Sequence, residues 1–199
     1  MSLRQRITDA LLPVLKELDG RCCAGDLGFF GGTADIALPL FAKYGVDSSE
    51  ALVYNIKNGV SADGFPLFSS VRISGGFLEL DVDDRALARF AAEVCASPDE
   101  AALVPADEFE LGKGPGFVRA RLLDIYRQKG GEFAVPRDTA ARRALWHCLA
   151  ADSPSSLNRA VKEAENALLR ERLLPGDLSG GAALAMAVSL YEASRTINL

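Results

Sequence analysis

The stretch 97–116 constrains this chain of 199 residues more than any other feature. It contains Pro98, Pro105 and Pro115, the acidic residues Asp99, Glu100, Asp107, Glu108 and Glu110, and the run Gly112-Lys113-Gly114-Pro115-Gly116. Fixed φ at proline and unrestricted φ at glycine suit neither a helix interior nor a strand. Residues 97–116 therefore read as an acidic Pro/Gly linker between a front part, 1–96, and a back part, 117–199. Apolar residues at 49% and charged residues at 25% give each part material for a core and exclude a disordered or coiled-coil chain.

The front part mixes periodicities. Ile7, Ala10, Leu11, Val14 and Leu18 recur at helical spacing, with Pro13 expected to bend or shorten that helix. A glycine-rich loop follows over 20–32. Ile36, Ala37, Leu40, Phe41 and Tyr44 predict a second helix over 34–44, stopped by Gly45 and interrupted by Pro39. Ser48 or Ser49 is placed to cap a third helix ending at Gly59, with Leu52, Val53 and Ile56 inward. Strands are expected over 67–73 and 76–82, turning at Ser74-Gly75. Asp83 or Asp84 then caps a helix carrying Leu87, Phe90, Ala91 and Val94.

The back part reads as helices only: 117–129, 139–150, 157–169 capped by Ser155 or Ser156, and 182–196 after Gly180-Gly181. Short connections between four helices favour an antiparallel bundle. The expected class is an α+β N-terminal domain followed by an all-α helical bundle.

Chemistry is excluded more readily than assigned. His147 is the single histidine, so no multi-histidine metal centre forms and any Ser-His or Cys-His site must use it. Helical spacing sets it beside Arg143, a cation where an orienting carboxylate is needed, and a structural histidine is expected. Lys113 is followed by glycine where a phosphate loop needs a hydroxyl, and the 25–32 loop lacks the dinucleotide-binding spacing. No catalytic residue, metal or cofactor is expected. Cys22, Cys23, Cys95 and Cys148 show no C-x-x-C spacing and read as reduced thiols of a cytoplasmic protein. Neither a secretory signal nor a membrane-length apolar run is expected to be present.

Charge is unevenly spread. Residues 111–199 carry 13 basic and 9 acidic side chains, whereas residues 1–110 are acidic and the whole chain stands at −5. In the back part Arg119, Arg121, Arg127 and Lys129 surround Tyr126, and Arg142 and Arg143 lie near Trp146. Cations interleaved with aromatics suit RNA, neutralising phosphates while rings stack on bases.

Two stretches carry a family resemblance. Gly25-Asp26-Leu27 followed by Val71-Arg72-Ile73-Ser74-Gly75-Gly76-Phe77-Leu78-Glu79-Leu80 resembles the N-terminal additional domain of arginyl-tRNA synthetase. Phe117-Val118-Arg119-Ala120-Arg121-Leu122 resembles the Y-A-H-A-R segment opening that enzyme's DALR anticodon-binding bundle, with Arg121 retained. The H-x-G-H and K-M-S-K-S signatures and the catalytic domain between these parts are missing, so aminoacylation is not expected. The resemblance implies a non-catalytic tRNA-binding protein contacting tRNA through Arg119, Arg121, Arg127, Lys129, Arg142, Arg143 and Phe77. The alternative is an interaction module that has lost RNA binding and uses the apolar part of the bundle to hold a tRNA-modifying or synthetase-related enzyme. The acidic balance and Glu79, which stands where the family tends to carry an amide, favour that alternative.

Overall fold

In a computed structural model, residues 3–29, 34–46, 49–62, 65–104 and 114–197 are described. They divide into two units, 1–86 and 87–199. The division falls upstream of the boundary expected at 96. Within the expected linker, Glu100–Leu103 is a 3₁₀ turn capped by Asp99, whose Oδ1 accepts from Ala101 N at 3.0 Å. Residues 114–116 are not linker but the first turn of a helix, where Pro115 lacks only a donor that a helix start leaves unused. The rest of that stretch, 105–113, lies outside the described residues, as does Ser48.

The first unit opens with α1 (Leu3–Leu18), whose Leu3, Ile7, Leu11 and Leu15 form one buried stripe at four-residue spacing. Pro13 lies on its exposed side and does not end it. The helix expected over 34–44 is instead strand β1 (Ile36–Pro39) followed by the five-residue α2 (Leu40–Tyr44). Pro39 explains the difference: its ring disfavours helical backbone at Leu38 and it cannot donate to a carbonyl one turn earlier. Ile36 and Leu38 then alternate inward at the period of a strand. Helix α3 (Glu50–Gly59) forms as expected, Ser49 Oγ accepting from Leu52 N at 3.2 Å and Leu52 and Ile56 buried.

Ser61–Ala62 (β2) and Phe65–Pro66 (β3) make a small two-stranded ladder, and β4 (Phe68–Ser74) and β5 (Phe77–Val82) a hairpin. Its turn is Gly75-Gly76, one residue beyond the expected turn. Both glycines have positive φ, the geometry that matches strand twist in a two-residue loop. The three-stranded antiparallel sheet runs β1-β5-β4. Leu38 faces Leu78 and Ile36 faces Leu80, all fully buried. The opposite face carries Arg72, whose guanidinium bonds Glu79 and Asp81 at 2.8 Å each. Buried Asp35 accepts from Val82 N at 2.9 Å and so closes the end of β5.

The second unit comprises most of α4 (Asp84–Ala96), with α5 (Gly114–Lys129), α6 (Thr139–Ala150), α7 (Pro154–Leu173) and α8 (Gly180–Ile197). The cap of α7 is Ser153, not Ser155 or Ser156. Its Oγ accepts from Ser156 N, and Pro154 takes the first helical position. Helix α8 packs against α5, α6 and α7, and every residue from Gly180 to Leu190 is buried. A helix apolar on all sides belongs at the centre. Gly180 and Gly181, expected to precede this helix, are its first turn. A Cβ at Gly180 would stand 1.8 Å from Gly130 O, and one at Gly181 would stand 2.7 Å from Glu132 O, which accepts from Gly181 N.

Alanine ordinarily favours a helix over glycine by ~1 kcal/mol. At Gly180 the sign reverses: G180A is expected to destabilise by at least about 2 kcal/mol in urea unfolding, because rigid backbone must retreat. The control G59A, whose Cβ meets nothing within 4 Å, is expected to be neutral or stabilising.

Candidate functional site

The sequence puts most of the candidate RNA-binding cations on α5, and the structure gives them different tasks. Arg119 is not a surface cation: it is 8% exposed. Its Nη2 donates to Val104 O at 2.5 Å and its guanidinium lies 5.0 Å from the Tyr191 ring. Arg195 covers the same ring at 5.5 Å and bonds Asp99 at 2.5 Å. Residues 99–104 are thus fastened to α5 and α8 by guanidinium groups. The helical setting of Arg119, one turn before the buried Leu122, is legible in the sequence. Its burial is not, because that depends on Tyr191 and Val104, remote along the chain.

Lys129 likewise works inside the fold. Its Nζ bonds the Glu171 carboxylate and donates to Leu178 O at 2.8 Å. Glu171 also accepts from Gly176 N at 3.0 Å and Leu178 N at 2.9 Å. Burial by itself would raise the Glu171 carboxyl, but Lys129 and the two amides hold it below its ordinary value. The carboxylate pins the turn between α7 and α8 to the end of α5.

Arg121 and Arg127 do reach the surface, and both lean on one acid, Asp124, at 3.6 and 3.8 Å. Arg121 also lies over the Phe117 ring at 5.4 Å. Arg142 and Arg143 are half-buried on α6. Phe77 is 45% exposed in the first unit, beside Phe41, whose N donates to Gly76 O at 3.0 Å. Arg72 of that hairpin is committed to the hairpin's own carboxylates, Glu79 and Asp81. Of the seven candidates, Arg119 and Lys129 are thus internal, Arg121 and Arg127 share an acid, Arg142 and Arg143 are half-buried on α6, and Phe77 belongs to the first unit.

A groove of about 770 Å³ runs between α5 and α7. Its apolar lining comes from Phe117 and Ile125 on one side and Leu168, Leu169 and Pro175 on the other. Arg121, Asp124, Glu165 and Arg172 stand among them. Leu169 of the α7 wall is 56% exposed, and Leu173 and Leu174 beyond it are 70% and 77% exposed. Large apolar side chains exposed this close together are uncommon on a folded protein. The sequence carries the signal as the pairs Leu168-Leu169 and Leu173-Leu174. Adjacent residues on a helix point about 100° apart, so Leu168 and Leu169 diverge, while Leu174 already lies past the end of α7.

Gly25 and Asp26 lie in a 3₁₀ turn, Ala24–Asp26, and Leu27 follows it with extended backbone. Asp26 accepts from Cys23 N at 2.8 Å and from Tyr44 Oη at 2.5 Å, and pairs with Lys43. The Lys43 ammonium, the Tyr44 hydroxyl and the Cys23 amide depress its carboxyl strongly. Among the described residues no group of His, Cys, Asp and Glu side chains is arranged to hold a metal, and no helix is long and apolar enough to cross a membrane.

His147 is buried on α6, as a structural histidine should be. Burial first, then the charges of Arg159 and Arg143, lower it from 6.5 to about 4. Unfolding raises it again, so the unfolded chain binds the extra proton between those values. Stability is expected to be level above pH 6.5 and to fall by up to ~3 kcal/mol toward pH 4, a loss that H147F removes in urea unfolding at pH 7 and 4.5.

Against this geometry, comparison with family models, with curated proteins and with solved structures returns no match.

Proposed function

We propose that the chain is a non-catalytic protein-interaction module whose helical unit receives an amphipathic helix in the groove between α5 and α7. The observation that carries this reading is the exposed leucine surface of α7 at Leu169 and Leu173, bordering an open apolar groove. Two parallel walls of side chains accept a third helix through anchors at i, i+3 or i+4, and i+7. Charges alternate in sign along the walls, Arg121 and Asp124 on α5, Glu165 and Arg172 on α7. Such a rim suits a helix of mixed charge better than a polyanion, which meets repulsion at every carboxylate.

A second reading, tRNA binding, follows from the resemblance to the tRNA-contacting parts of arginyl-tRNA synthetase. One observation favours it: the charges of Arg143 on α6 and Arg159 on α7 both act on His147, so cations of two packed helices lie within electrostatic reach of one point. Arg142 precedes Arg143 there.

The readings separate in two measurements. A display library of amphipathic helices of about 16 residues, long enough for the two-turn groove, is expected to yield binders that L169D loses while its far-UV circular dichroism stays unchanged. Bulk tRNA is expected to bind only weakly, with a salt dependence that R142E/R143E leaves unaltered. A slope that falls by about 2 in the double variant would favour tRNA.

A further inference from the structure

The charges on the exposed face of α7 have a symmetry that singles out one occupant for the groove. Glu165 and Arg172 are exposed, and no ion pair engages either among the described residues. Seven positions separate them, two helical turns and about 10 Å on the same face of the helix. Leu168 and Leu169 lie midway between them, and Leu169 is 56% exposed.

We propose that the occupant is a second copy of this chain, docked through α7 against α7 in antiparallel, two-fold arrangement. This rests on the interaction-module reading and names its partner. An isologous contact requires that the surface be complementary to itself after a two-fold rotation. With the axis between Leu168 and Leu169, Glu165 of each copy meets Arg172 of the other, so both unpaired charges are matched at once. The same rotation sets Leu169 of each copy against Leu168 and Leu169 of the other, so exposed apolar surface meets its own counterpart at the axis. A parallel docking would set Glu165 against Glu165 and Arg172 against Arg172 and is opposed by like charge.

Sedimentation of the full chain up to about 1 mM tests the contact. A monomer–dimer equilibrium is expected for the wild type. E165R and R172E alone each place like charges together twice, and each is expected to raise Kd on the order of ten-fold. Mixed in equal amounts, E165R and R172E regain both opposite-charge pairs across the axis, so the mixture is expected to dimerise within about three-fold of the wild type. L169D is expected to be monomeric. A wild type monomeric at every concentration overturns the proposal, as does a dimer indifferent to E165R, R172E and L169D. If such a monomer binds library helices in a manner that L169D abolishes, the interaction module stands and only the second copy falls. If it binds none, both fail.

Discussion

The helical unit depends on the burial of α8. From Gly180 to Leu190 that helix has no side facing water, and α5, α6 and α7 pack around it. Its N-terminal turn can enter so far only because Gly180 and Gly181 let the helix backbone touch the 130–133 segment directly. The hydrogen bond from Gly181 N to Glu132 O joins the two backbones where side chains would ordinarily separate them. Apolar burial supplies the attraction, and the missing Cβ atoms set how close it can act.

Around that centre, the cations behave as structural members. Arg119 joins α5 to residue 104 and to Tyr191, Lys129 joins α5 to the turn after α7, and Arg170 joins α7 to the cap residue Asp138 of α6. A formal count of 13 basic and 9 acidic residues over 111–199 thus overstates the positive field available to a ligand. The buried guanidinium and the latched ammonium are oriented by carbonyls, carboxylates and a ring, and they stay oriented because moving them would expose unpaired buried groups.

Local rules make much of this visible in the sequence. Ser49 and the 52/56 spacing mark α3, and the alternation over 77–82 marks β5. Expectation and structure part where two local signals compete or where the deciding partner is distant. At 36–39 an apolar spacing compatible with helix meets Pro39, and the proline decides the backbone. Gly180-Gly181 reads as a helix boundary, since glycine disfavours helices, yet tertiary contact with residues 130–133 reverses that preference. Arg119 and Lys129 cannot be told from exposed neighbours without knowing that Tyr191, Val104 and Glu171 fold against them. The groove is half legible, in the adjacent leucines at 168–169 and 173–174.

The latch at Glu171 bears directly on the docking proposed for the groove. Because that carboxylate ties the end of α5 to the turn after α7, and α8 packs against both helices, the walls stand at a fixed spacing before anything arrives. Association would then freeze few internal degrees of freedom in these walls, and with a second copy as the partner the same holds on both sides. A surface held in this way, if it docks a helix as proposed, discriminates by shape: it favours a rod of the right width and gives little to a chain that must be moulded to it.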